Sequence, residues 1–107
     1  MRIELHPEAS AEFRSGALWY EERRETLGQE FIAAIDSALL RTVSAPKSFP
    51  QWVGTEHTAV AIRKAHVERF PYVIAFEEHE DHILVLAVAH QKRRPLYWLA
   101  RATPQSG

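Results

Sequence analysis

Arg2 to Leu5 (RIEL) alternates polar and apolar residues, the period of a half-buried strand, and predicts a first strand. From Pro7 the period changes. Ala9, Phe13, Ala17 and Tyr20 recur at helical spacing and predict a helix over 7–25 with one apolar stripe. Pro7 suits the first turn, where its missing N–H costs nothing, and Glu8 and Glu12 stand near the positive helix end. TLGQ (Thr26 to Gln29) is the link, with Gly28 as the expected turn residue. A second stripe of Phe31, Ile32, Ile35, Ala38, Leu39 and Thr42 predicts a helix over 29–44. So short a link predicts an antiparallel helical hairpin.

Ser44 to His57 holds two prolines and a glycine and reads as a loop, pinned to the core by Phe49 and Trp52. Strands are predicted over 59–67, 69–78 and 82–90, with a polar turn at HEDH (His79 to His82). HILVLAVAH (His82 to His90) is apolar on both parities, which marks a central strand buried on both faces. Leu96 to Arg101 is expected to close the chain as a short helix. The order β-α-α-β-β-β predicts an α+β domain over residues 1–107, an antiparallel sheet covered on one face by the hairpin. Two helices cover only one sheet face. A residual apolar patch rimmed by Arg and Lys is therefore expected on the other, as a protein contact.

Composition narrows the function. Hydrophobic residues make up 46% of the 107, enough for one packed interior. No cysteine is present, which removes disulfides and thiolate metal sites and suits a reducing cytoplasm. MRIELHPEAS has no signal-peptide pattern, and no apolar run reaches bilayer length, so a cytoplasmic protein with no membrane partner is expected. Thirteen basic residues face fourteen acidic ones, so no global cationic footprint for nucleic acid exists. Any cationic site is local, and Lys92, Arg93 and Arg94 form the densest one.

That cluster follows His90 and precedes Pro95, Tyr97 and Trp98. Three readings apply. As a partner-binding surface, it joins Arg and aromatic residues in the manner of interface hot spots. As a solvated turn, it has no role. As a catalytic set, His90 is base or acid, Tyr97 a proton donor, and Arg93 and Arg94 a phosphate clamp. Partner binding ranks first, the turn second and catalysis third. Arg63 and Lys64 are adjacent on a strand and point to opposite faces, with His66 on the parity of Lys64. Arg69 precedes Phe70-Pro71, where Pro71 belongs at a strand start and Tyr72 lines one face with Ile74 and Phe76. Tyr20 fits the core and Trp19 the helix edge. The six histidines form no metal constellation, no Gly-rich phosphate loop occurs, and no cofactor is expected.

Four stretches together resemble the ParE/RelE family of toxins from bacterial type II toxin–antitoxin systems. They are ALWYEERRETLGQEF, APKSFPQ, IRKAHVERFPYVIAFEE and VLAVAHQKRRPLYW, in the family's order over nearly the whole chain. The Arg-Phe-Pro-Tyr and Tyr-Trp pieces resemble the ParE branch more closely. The resemblance implies a toxin held by a cognate antitoxin in a hetero-oligomer, touching DNA only through that antitoxin. On the ParE branch it implies inhibition of DNA gyrase by binding. On the RelE branch it implies ribosome-dependent cleavage of messenger RNA, with His90, Arg93, Arg94 and Tyr97 as the catalytic residues. The partner-binding residues expected are Arg63, Arg69, His90, Lys92, Arg93, Arg94, Tyr97 and Trp98.

Overall fold

The computed structural model describes residues 1–105. Its elements are β1 (Arg2–Leu5), α1 (Pro7–Arg23), α2 (Leu27–Ser44), β2 (Ile62–His66), β3 (Tyr72–Glu78) and β4 (His82–His90). Short 3-10 turns occupy Pro46–Ser48 and Leu99–Arg101. The α+β class and the element order are those the pattern predicts.

The hairpin link differs in one respect. Thr26, not Gly28, takes the left-handed turn conformation, with φ 71°. Gly28 lies inside α2 and is buried, because a Cβ there would stand 2.6 Å from the Ala17 carbonyl oxygen. The glycine sets how closely the helices approach. Glu21 accepts hydrogen bonds from the Thr26 and Gly28 N–H groups, each at 2.9 Å, and so caps the N-terminus of α2.

The sheet order is β1-β4-β3-β2. β2, β3 and β4 form an antiparallel meander, but β1 pairs parallel with β4, from Arg2 opposite His82 to Leu5 opposite Val85. The sheet is thus mixed rather than wholly antiparallel. The intervening chain supplies the long crossover that parallel pairing needs. A bulge falls between Ala75 and Phe76, whose partners are Ala87 and Val85, so Leu86 is the extra residue. It resets the parity of β4. Ile83, Val85 and Val88 pack toward the helices with Phe31, Ile35, Ile74 and Phe76. Leu86, Ala87 and Ala89 face the other side.

That other side corrects the expectation of an uncovered apolar face. Leu86, Ala87 and Ala75 are fully buried there, under Trp98 with Trp52, Leu96 and Leu99 around it. The Trp52 and Trp98 rings meet edge to face at 4.9 Å. The segment is held down by Glu77, a fully buried carboxylate on β3. It accepts from the Thr103 N–H at 2.8 Å and hydroxyl at 2.6 Å, and lies 2.8 Å from His79 Nε2. The exposed large apolar residues are Leu18, Trp19, Ile32 and Leu40 on the helices, with Met1 at the chain start and Val53 in the loop beside Trp52.

Candidate binding cleft beside β4

β4 outruns its neighbour. β1 pairs only as far as Val85, the His6 N–H donates to the Val85 carbonyl at 2.8 Å, and α1 then leads the chain away. Beyond that point two side chains occupy the strand edge. Glu12 Oε1 accepts from the Val88 N–H at 3.0 Å, and Arg101 Nη1 donates to the Leu86 carbonyl at 3.0 Å. These two also pair with each other through both carboxylate oxygens, at 3.1 and 3.0 Å. The Tyr97 hydroxyl donates to Glu12 Oε2 at 2.6 Å. Both charged side chains are only 15% exposed, so this is a bidentate, charge-assisted knot tying α1, β4 and the C-terminal segment together.

Past the knot lies a cleft of about 560 Å³, walled by Trp19 and Tyr20 of α1, by Tyr72 and His90 of the sheet, and by Arg93 and Tyr97. Gly16 lies at its base, where a Cβ would come within 2.8 Å of the Phe31 ring. The rings are locked together: Tyr20 meets Tyr72 at 6.3 Å, and Tyr72 meets His90 at 5.2 Å. Burial raises the pKa of Tyr20. It raises that of Tyr72 too, helped by the neighbouring Tyr20 and Glu12. Tyr97 is pushed furthest up, first by burial and then by its hydrogen bond to Glu12. All three phenols therefore stay neutral at physiological pH, as apolar walls with a hydroxyl edge.

The structure brings together three of the residues singled out in the sequence. His90, Arg93 and Tyr97 line the cleft. Arg93 lies 4.0 Å over the Tyr97 ring, and His90 Nδ1 accepts from the Lys92 N–H at 3.0 Å. Lys92 and Arg94 are exposed beside them, and Arg94 lines a second hollow of about 280 Å³ with His66 and Trp98. The others lie apart. Arg63 faces the helical side and donates to the Phe49 carbonyl at 2.7 Å, while its Nε is buried without a partner. Lys64, of opposite parity, sits 5.7 Å over the Trp52 ring. Arg69 has φ 72° and pairs with Glu30 at 2.7 Å, in a different hollow. Trp98 is 1% exposed and is a core anchor, not a surface residue. Leu96 has φ 61°; after it Tyr97 reaches the cleft and Glu12 while still packing against the second-face core, and Trp98 is buried within that core.

Sequence reasoning missed Glu12 and Arg101. Glu12 shares a helix face with Gly16 and Tyr20, and a carboxylate on an inward face demands a partner. Among the described residues no three His, Asp or Glu side chains converge as a metal site, and no helix is long and apolar enough to cross a membrane.

Comparison with curated proteins gives no match. Among solved structures, a chain from a chromosomal ParDE TA system of P. aeruginosa superposes with a TM-score of 0.68 at 13% identity. The match covers 84% of this chain and 95% of that one, and it shows a shared fold. The family described as the ParE toxin of type II toxin–antitoxin system, parDE, matches residues 3–95, and the chain belongs to that family.

Proposed function

We propose that the chain is the toxin of a two-protein module, that it inhibits DNA gyrase by binding it, and that a cognate antitoxin neutralises it. Family membership supports the toxin and its antitoxin. A binding mode is supported by one observation above the rest. The proton donor that a catalytic reading would use, the Tyr97 hydroxyl, is committed to Glu12 at 2.6 Å with its pKa raised. General acid catalysis needs a donor whose pKa lies near the operating pH. The cleft offers instead aromatic walls and an Arg rim, the composition of protein hot spots. The test incubates purified chain with gyrase and relaxed plasmid. Loss of supercoiling in proportion to dose is expected. Undiminished supercoiling over a wide dose range, or messenger cleavage in a translation extract, overturns the gyrase reading.

A further inference from the structure

The loop from Pro50 to Val60 is pinned along its length. The Trp52 N–H donates to the Ile62 carbonyl at 2.8 Å and the Lys64 N–H to the Pro50 carbonyl at 3.0 Å, so the loop begins along the outer edge of β2. Buried Thr55 donates its hydroxyl to the Trp52 carbonyl at 2.6 Å. The Thr58 hydroxyl lies 2.9 and 2.7 Å from the Thr55 and Val60 carbonyls. Gly54 takes φ 93°, a conformation that favours glycine, and its N–H donates to Glu56 Oε1 at 3.2 Å. This frame holds Val53 in solvent at 78% exposure, the most exposed large apolar side chain among the described residues. A partner that meets a tip already fixed pays little to order it.

Val53 does not stand alone. Next to it the half-buried Trp52 ring lies against Trp98 at 4.9 Å, on the face of the sheet turned away from the helices. Lys64 sits 5.7 Å over the same ring, and exposed Arg94 lines the 280 Å³ hollow that Trp52 also borders. Among the described residues no carboxylate lies within 4.0 Å of Lys64 or Arg94. The result is a ledge with an apolar knob, an indole and two cations that no internal carboxylate claims. Arg and Trp together are the composition of interface hot spots.

We propose that this ledge is a contact surface for gyrase, separate from the aromatic cleft. Val53 enters an apolar pocket of the enzyme, and Lys64 and Arg94 meet Asp or Glu side chains at the rim of that pocket. The proposal rests on the reading that gyrase is the target. Shape selects the kind of partner: a projecting knob needs a concave complement, which a folded protein supplies and an extended segment does not. Charge selects the rim, since opposite potentials speed the encounter and exclude partners that are cationic there.

The test uses the full chain, purified gyrase and the antitoxin encoded beside it. Val53→Asp charges the knob and touches no core, so its melting temperature is expected to stay within about 4 °C of the wild type. The dose for half-inhibition of supercoiling is expected to rise about tenfold or more in Val53→Asp and in Lys64→Glu/Arg94→Glu, and to stay at the wild-type value in Val53→Ile. Binding of the labelled chain to gyrase is expected to weaken in parallel, and binding to the antitoxin to stay unchanged. If Val53→Asp inhibits and binds gyrase like the wild type, the ledge is not the contact and the gyrase reading stands. If the variants lose the antitoxin and keep gyrase, the ledge belongs to the antitoxin and the proposal is wrong. If the wild-type chain itself neither binds nor inhibits gyrase, the gyrase reading fails and takes this proposal with it.

Discussion

Replacing Arg101 by Met removes one side of the knot and keeps most of the stem. Glu12 then retains only the Val88 N–H and the Tyr97 hydroxyl as donors, and the Leu86 carbonyl loses its partner. At 15% exposure the carboxylate has little water to turn to. Removing one partner of a buried pair costs ~3–5 kcal/mol, and the two surviving donors place this case near the lower end. Against a typical total stability of ~5–15 kcal/mol, that is a large fraction. Glu12→Gln keeps an acceptor for Val88 and Tyr97 but strands the Arg101 charge, at about 2 kcal/mol. The double variant Glu12→Gln/Arg101→Met strands no charge, so its cost falls short of the sum by roughly 2 kcal/mol. Urea unfolding measures the cycle. With a slope of about 2 kcal/mol/M, Arg101→Met lowers the midpoint by ~1.5 M with the slope unchanged. A coupling below ~0.5 kcal/mol shows that the knot contributes no more than separate surface contacts, and refutes the reasoning. A second reading comes from absorbance at alkaline pH. In Glu12→Gln, Tyr97 is expected to titrate lower than in the wild type, toward the ordinary tyrosine value, because the hydrogen bond to a carboxylate no longer holds its proton.

Gly28→Ala drives a Cβ to 2.6 Å from the Ala17 carbonyl and 2.9 Å from the Glu21 side chain; the expected loss is ~1–3 kcal/mol, seen as a fall in melting temperature of at least about 4 °C. Thr103→Val deprives buried Glu77 of its hydroxyl donor and is expected to cost ~1–3 kcal/mol, read by urea unfolding. The alkaline limb follows from the three raised phenols. Each contributes stability that is whole below the unfolded tyrosine value of ~10 and is lost as pH rises through the folded value, so alkaline unfolding should begin only above ~pH 10, followed by circular dichroism. The acid limb has the opposite sign. His82 and Arg2 hold Asp81 below its ordinary value, and Arg69 does the same for Glu30, so their contributions stand above ~pH 4 and fade as pH falls through the lowered values; carboxyl NMR titration checks both.

Most of the architecture could be read in the chain because its signals are local. Both helices, the boundaries of β4 and the burial of both its faces follow from periodicity within one segment. The parallel entry of β1 was not legible, since RIEL has the same alternation whichever way its partner runs. Nor was the cover of the second sheet face. Its elements are Trp52 in a loop and Trp98 beside a 3-10 turn, and neither belongs to a periodic stripe. The bulge at Leu86 adds to this. It puts Leu86 and Ala87 on the same face, so a simple odd–even count along β4 sends one of them to the wrong side.

The cleft was half legible for a related reason. His90, Arg93 and Tyr97 lie within eight residues of one another at the end of one strand, so a single turn delivers them to one place. Their setting comes from far away. Arg101 meets Glu12 across 89 positions, and Trp19 and Tyr20 reach the cleft because Gly16 lets Phe31 lie close beneath α1. Such pairings leave no spacing to find, but they leave a local trace. A carboxylate on an inward helix face and an arginine in an otherwise apolar C-terminal segment each contradict their surroundings, and each is tolerable only if the other is near. The same contradiction explains what the knot is for. β4 ends without a neighbour on one side, and an open strand edge is a template for unwanted pairing. Glu12 and Arg101 occupy the first part of that edge with groups that cannot extend a ladder. The strand end beyond them, past the Val88 N–H that Glu12 holds, coincides with the aromatic cleft and its cationic rim, so any chain that pairs there must also satisfy the side chains around it.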